Sequence, residues 1–343
     1  MALMTVIVDK LNKRSSPIAD VSDKTNVVEV VKRGTTFESI AVVTNALGKW
    51  YQDKNGHFYW EGGVRELKTN YQELLTNIPA QWMQTNGRNI KIAVLDTGFF
   101  LDHADLAHLK PTAIVQDFGQ NNNTKDNRGH GTHVLGLLGA RSATPDGVNG
   151  LVPEAQFFLY KAVMDNVGFL DVFAEAAVLD AIQQKADIIS MSFSVPSREN
   201  STFHEAIKKA IAANILVVAS AGENDQLIQS NLVFPSEFEG VISVGEADTI
   251  FSQSLTRPFN DQLDLLMPFV DQRSCWINDS FGLYRNLKGS SMATALVAGI
   301  LASSMSFSNK TTDPLTELKN ISPKFSNTIF NDLKLQTIKP WTI

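Results

Sequence analysis

Cysteine is nearly absent from this chain of 343 residues: Cys275 stands alone. One thiol forms no internal disulfide, and without a C-x-x-C pair or a Cys/His cluster there is no zinc framework, so a packed free thiol is expected. Long apolar runs are missing as well; none reaches the eighteen or so residues that a membrane span needs. Basic runs go no further than Lys208-Lys209, and 30 basic against 36 acidic residues leave a net charge of −6. Neither a nucleic-acid footprint nor a patch for anionic membranes is expected from such a balance. The opening M-A-L-M-T-V-I-V-D-K has a short apolar run with no basic segment before it and no small-residue cleavage pattern. A cytoplasmic location is therefore expected, or a secreted one if a leader has been removed.

What is present suffices for one large domain and one small one, with 43% hydrophobic residues to build a core. Residues 1–62 carry short β-rich runs, Thr5–Val8, Val27–Val31 and Ser39–Val43, broken by turn residues at Ser15-Ser16-Pro17, Arg33-Gly34 and Asn55-Gly56. Trp50, Tyr51, Phe58, Tyr59 and Trp60 crowd one end, either as the core of a small antiparallel barrel or as a binding groove. Residues 63–88 are polar, with Leu67, Tyr71, Leu74 and Leu75 at helical spacing, and read as a linker helix.

From residue 89 to 343 apolar runs alternate with amphipathic ones. Strands are expected at Ile90–Leu95, Phe157–Val163, Ile188–Met191, Ile215–Ala219 and Val241–Gly245, and helices at His130–Ala140, Asp171–Lys185, Thr202–Ala213 and Ser291–Met305. Strands apolar on both faces and separated by helices imply an α/β fold with a parallel sheet covered on both sides. Ligands of such sheets sit beyond the carboxyl ends of the strands, and Asp96 leaves one there.

Three motifs carry chemistry. Asp96 lies in V-L-D-T-G; a single D-T-G cannot make the paired carboxylates of an aspartic protease. His130 opens G-H-G-T-H, its flanking glycines permitting close approach of another backbone or a substrate. His133 follows three residues on, but the glutamate of H-E-x-x-H is missing, so it is read as a packing or hydrogen-bonding histidine. His57, His103, His108 and His204 sit in polar surroundings and read as surface residues. Ser291 opens an apolar helix in G-S-S-M-A-T-A-L-V-A-G, where unpaired N–H groups favour a developing oxyanion. An acid, a base and a nucleophile thus occur in the order Asp96, His130, Ser291. That order differs from those of the α/β-hydrolases and of chymotrypsin, and is the order of subtilisin.

From about Asn89 onward the chain resembles the subtilisin family of serine proteases. The motifs V-L-D-T-G with H-A-D-L, G-H-G-T-H-V-L-G, I-I-S-M-S, V-V-A-S-A-G, F-P-S-E-F-E-G-V-I-S-V-G and G-S-S-M-A-T-A-L-V-A-G carry the likeness, in family order over about 220 residues. The resemblance implies a subtilisin-like three-layer sheet and an endopeptidase that works through an acyl-enzyme. In it Asp96 orients, His130 is general base and then acid, and Ser291 attacks and supplies one oxyanion N–H. It further implies an extended substrate held between Val167-Gly168 and Ser192-Phe193-Ser194. Residues 1–62 resemble bacterial Src-homology-3-like domains through L-N-K-R-S-S-P, V-V-K-R-G and the aromatic stretch, which implies a peptide or cell-wall ligand.

Two departures stand out. The oxyanion asparagine of the family should follow Ala221-Gly222, but Glu223 stands there and Asn224 comes one residue late. Either Asn224 shifts into register, or Glu223 donates as an acid, or the enzyme is slow. The usual S-x-G-G of the substrate wall is Ser192-Phe193-Ser194-Val195, which predicts a narrower pocket for the residue before the cut bond. Asp105 in H-A-D-L matches a position that often ligates calcium in the family, yet one carboxylate is too little for a hard cation taking six to eight oxygens. No cofactor is expected to be required, and calcium is left open without support, so no metal ligand is assigned. The function expected is a serine endopeptidase suited to selective processing, with a weakly active or inactive peptide-binding protein as the alternative.

Overall fold

The computed structural model describes residues 2–6, 8, 10–18, 25–32, 35–66, 78–119, 123–164, 168–195, 200–222, 234–247, 263–268, 271–321 and 336–337. The chain divides into two compact units, one holding Met1–Thr69 and the other Asn70–Ala247 and Ser254–Ile343.

The first unit is a seven-stranded antiparallel sheet. Its strands are β1 (Ala2–Val6), β2 (Lys10–Arg14), β3 (Val27–Lys32), β4 (Thr36–Asn45), β5 (Gly48–Asp53), β6 (Phe58–Trp60) and β7 (Val64–Glu66), ordered β3-β2-β6-β5-β4-β1-β7. Pairing runs continuously from β3 to β7, giving the small all-β region expected ahead of the parallel sheet. The expected linker helix begins differently. Val64 is buried and pairs with Val6, so Val64–Glu66 becomes a strand of the first sheet, while Leu67, Tyr71, Leu74 and Leu75 lie outside the described residues. The aromatic run is mostly core: Trp50, Phe58 and Tyr59 are buried, Phe37 stacks on Tyr59, and only Trp60 is exposed. Asp53 is held below the usual carboxylate range. Burial opposes this, but N–H groups of His57 and Asn55 and the Tyr59 hydroxyl together outweigh it.

The second unit is built on an eight-stranded parallel sheet. It comprises β8 (Lys91–Asp96), β9 (Ile114–Asp117), β10 (Gln156–Lys161), β13 (Ile188–Met191), β14 (Leu216–Ser220), β15 (Ile242–Ala247), β16 (Leu263–Pro268) and β19 (Gln336–Thr337), ordered β19-β16-β15-β14-β13-β8-β10-β9. Two antiparallel pairs lie outside it, β11 (Val163–Met164) with β12 (Gly168–Phe169) and the hairpin β17 (Gln272–Asp279) with β18 (Gly282–Leu287). The helices are α1 (Ala80–Met83), α2 (His130–Gly139), α3 (Asp171–Gln183), α4 (Thr202–Ala212), α5 (Ser290–Phe307) and α6 (Pro314–Ile321).

The strands are apolar on both sides because the sheet separates two cores, and successive side chains point to opposite faces. Ile92 and Val94 of β8, with Phe157, Leu159, Ile188 and Val218, join a core closed by α2 and α5. The alternate residues Ala93 and Leu95, with Phe158, Tyr160, Ile189 and Met191, join the core closed by α3 and α4. Helices on both faces give the three layers. Ile78 and Trp82 add to the first core, so the segment around α1 packs with this unit. Helix α5 is long and apolar enough to cross a membrane by composition, but it is buried within the protein, which explains why it shows no polar face. Leu138 of α2 and Leu151 close over Gly299 of α5. Leu138→Ala is expected to cost about 2–5 kcal/mol through the cavity it leaves; urea unfolding of the variant against the parent measures this.

Candidate active site

Asp96 ends β8 and is fully buried. Its Oδ1 accepts the Thr97 N–H at 2.7 Å and lies 2.7 Å from His130 Nδ1. A carboxylate accepts only, so the imidazole proton sits on Nδ1 and Nε2 is left as a base. The His130 side chain is 28% exposed, on the rim of the site rather than inside it.

The sequence motifs around these residues work through their neighbours. A Cβ at Gly98, where φ is +117°, would come within 2.6 Å of the Lys125 carbonyl, and one at Gly131 within 2.3 Å of the Gly98 carbonyl. The strand end, the 125–126 segment and the start of α2 are therefore in backbone contact. Asp126, unmarked in the sequence reading, holds them together. Its Oδ1 accepts from Thr97 Oγ1 at 2.9 Å, Gly129 N at 2.8 Å and Arg128 N at 3.0 Å; its Oδ2 accepts from Thr132 N at 2.9 Å and Thr132 Oγ1 at 2.7 Å. A buried carboxylate at a helix start is an N-terminal cap. Its signal in the sequence is an aspartate four residues ahead of a helix-opening histidine.

Ser291 stands in the first turn of α5, after Gly289. Its Oγ donates to the Ser192 carbonyl at 2.9 Å while Ser192 Oγ donates back to the Ser291 carbonyl at 2.8 Å. Met191 pairs with Leu95, so Ser192 and Asp96 leave adjacent strands side by side. The same helix end is tied to the two following strands, Ser220 Oγ to Ser290 Oγ at 2.5 Å and Gly289 N to the buried Glu246 Oε1 at 3.2 Å. Being in the first turn, the Ser291 N–H has no intrahelical acceptor.

Of the residues expected to hold substrate, Ser192 and Phe193 are buried and Ser194 is exposed at the sheet edge. The Phe193 ring stacks on Phe169 at 4.1 Å, one residue after Gly168, so the two expected flanking segments meet through aromatic side chains. At Gly168 an added Cβ would face open space. Val167, Glu223 and Asn224 lie outside the described residues.

The remaining histidines divide differently from the sequence reading. His103 and His204 are buried, not superficial. His103 Nδ1 accepts the Asp105 N–H and Nε2 donates to the Leu283 carbonyl; His204 Nδ1 accepts the Asn200 N–H, with its ring stacked on Phe238 at 4.1 Å. Their local backbone bonds let polar rings enter the interior, which a polar sequence context conceals. His103, Asp105 and Cys275 cluster in the interior. Yet both His103 nitrogens are engaged, and the Asp105 carboxylate accepts from Ala143 N, Val148 N and Tyr284 Oη at 2.8, 2.8 and 3.0 Å. Donors aimed at every carboxylate oxygen, beside a thiol pushed upward by burial and by the Asp105 charge, do not suit calcium.

His133 is a structural donor. Its Nε2 lies 3.0 Å from both the Gln272 and Arg285 carbonyls, pinning both strands of the β17–β18 hairpin, and its Nδ1 is buried with no partner among the described residues. Burial, with the neighbouring His130 and Arg285 charges, lowers its pKa to about 3. The folded protein therefore keeps it neutral, while the unfolded chain takes up a proton below about pH 6.5. Stability should fall as pH drops from about 6.5 toward 3, by up to about 1.4 kcal/mol per pH unit. Between pH 6 and 5, where most carboxylates stay ionised, His133→Gln should flatten that decline; thermal melts of both proteins across this window read it.

Residues 87–329 match the family model described as the subtilase family. An intracellular serine protease of Paenibacillus polymyxa is 38% identical over 250 residues, covering 69% of this chain and 74% of that protein. The major intracellular serine protease of Bacillus subtilis is 33% identical over 232 residues, covering 65% and 71%. Among solved structures, sphericase superposes with a TM-score of 0.58 at 25% identity, covering 71% of this chain and 90% of its own.

Proposed function

The chain belongs to the subtilase family and is a serine-type endopeptidase, and we propose that Asp96, His130 and Ser291 are the residues that carry its reaction. The observation that supports this reading above others is the 2.7 Å bond from His130 Nδ1 to the fully buried Asp96. It leaves Nε2 unprotonated at the mouth of a site whose sheet edge also carries Ser291.

The steps follow from these groups. In the free protein the Ser291 hydroxyl donates to the Ser192 carbonyl. Rotation about the Cα–Cβ bond turns the hydroxyl toward His130 Nε2, which takes the proton as Oγ attacks the peptide carbonyl. Asp96 stabilises the imidazolium so formed. His130 then gives that proton to the departing amine, and a water repeats the cycle to release the acyl group. Carboxylate, imidazole and hydroxyl complete this chemistry without a cofactor. One oxyanion donor is the Ser291 N–H; for the second we assign Asn224, displaced by one residue from its usual place after Ala221-Gly222, with Glu223 beside it opposing the negative charge. Gly168, Ser192, Phe193 and Ser194 hold the acyl side of the peptide, and Val167 is assigned with them. The Phe193 ring in place of a glycine favours small side chains before the cut bond. With relatives named as intracellular proteases, selective processing inside the cell is the role that fits.

In the N-terminal unit, a cavity of about 340 Å³ is lined by Lys10, Leu11, Arg14, Leu47, Trp50 and Trp60. We assign it to the peptide ligand that a Src-homology-3-like module would take. Trp60→Ala is expected to weaken peptide capture by the full protein without altering cleavage of short substrates; peptide-array binding beside a fluorogenic assay decides it.

A fluorophosphonate probe should label Ser291, and Ser291→Ala or His130→Ala should abolish labelling. Asn224→Ala should lower kcat by about 10²–10³, the loss that follows removal of such a donor in a member of this family, while Glu223→Asn raises it. Unchanged kcat in both variants removes this account of the oxyanion site.

A further inference from the structure

The β17–β18 hairpin carries a feature that the proposed chemistry leaves unused. The Arg285 guanidinium lies over two rings, its central carbon 4.1 Å from the Phe281 centroid and 4.6 Å from that of Trp276. Phe281 is 60% exposed at the hairpin tip. The one nearby carboxylate of the turn, Asp279, is already committed: Oδ2 accepts the Trp276 indole N–H at 3.0 Å and Oδ1 accepts the Phe281 N–H at 2.8 Å. Among the described residues Arg285 has no ion-pair partner. A guanidinium held over aromatic rings keeps its N–H edge for an acceptor, the arrangement in which arginine binds a carboxylate in two-pronged fashion.

The position of the clamp indicates which carboxylate. A Cβ on Gly129 would come within 2.4 Å of the Trp276 ring, so that indole lies against the residue preceding His130. The hairpin is pinned behind by His133 and runs on through Lys288 and Gly289 to Ser291. Gly168 and Ser192–Ser194 lie at the other boundary of the site, where the acyl half of the substrate is assigned. The amine half must leave past the imidazole that protonates it, and Trp276, which carries Arg285 and through it Phe281, lies against the residue preceding that imidazole.

We propose that Arg285, held by Trp276 and Phe281, is a specificity residue that recognises an acidic side chain one to three positions after the cut bond. The proposal rests on cleavage by Ser291 and His130 as read above, and it names the substrates as proteins with an acidic segment on the leaving side.

Fluorogenic peptides that differ only in carrying Asp, Ala or Lys at the first, second or third position after the cut bond test it. At one of these positions kcat/KM should be roughly three- to fivefold higher for Asp than for Ala, as suits a partly exposed ion pair, and lower for Lys. The preference should fade with added salt, drop to about one in Arg285→Ala, shrink in Phe281→Ala and invert in Arg285→Glu. The same series is bound to Ser291→Ala protein, where Kd should follow the same ranking. Equal kcat/KM for all three residues, or, where nothing is cut, equal Kd, overturns the clamp; so does an acidic preference that survives in Arg285→Glu. Ranked binding without any cleavage would instead count against the serine reading while supporting the clamp.

Discussion

The site depends on one buried carboxylate that does no chemistry. Asp126 accepts from the Thr97 hydroxyl on one side and from the Gly129 and Thr132 N–H groups on the other. It thereby joins the end of β8 to the beginning of α2. Asp96 and His130 belong to those two elements, so their 2.7 Å contact is set by a bond network outside the pair. The Gly131 N–H donates to Thr97 Oγ1 as well, closing the ring. In the proposed reaction a dyad built this way needs little reorganisation when charge develops on the imidazole, and preorganised polar groups are the largest source of catalytic stabilisation in enclosed sites.

Ser291, the proposed nucleophile, is positioned by a different principle. A parallel sheet presents the carboxyl ends of its strands along one edge, and three neighbouring strands each hold the start of α5 at that edge. Ser192 follows β13, Ser220 ends β14 and Glu246 lies in β15; they contact Ser291, Ser290 and Gly289 in turn. Because α5 is buried along nearly its whole length, its axis is fixed by packing and its first turn by these polar ties. Phe193, one residue beyond Ser192, stacks on Phe169 and so joins the two segments proposed to hold substrate.

Much of this was readable from the residues alone, for physical reasons. The strands around Ile92, Ile189 and Val217 are apolar on both faces, a pattern that only a doubly covered sheet requires, and their bounds fell within a residue or two of those observed. Asp96, His130 and Ser291 stood out because glycines mark where backbones close in. Asp126 did not, since its role arises from partners in two elements that only the tertiary fold brings together. The β17–β18 hairpin escaped notice because R-S-C-W-I-N-D-S-F-G-L-Y-R-N-L mixes charged and aromatic residues without a clean alternation; its inner contacts are to α2, not to the sheet. His103 and His204 misled for the converse reason, their burial being supported by main-chain partners invisible in a polar sequence context.

Helix α2 carries two imidazoles one turn apart with opposed requirements. In the proposed cycle His130 accepts a proton, and a second imidazolium on the same helix would make that uptake harder by like-charge repulsion. His133 avoids the conflict through burial: Nε2 serves two hairpin carbonyls, Nδ1 has no acceptor for a proton among the described residues, and its pKa lies near 3. The charge that forms on His130 therefore meets a neutral ring and the Asp96 carboxylate. Burial keeps His133 neutral against its two carbonyl bonds, which by themselves favour the charged ring, and those bonds hold the hairpin whose chain continues into Ser291, so one side chain links the electrostatics around His130 to the placement of Ser291.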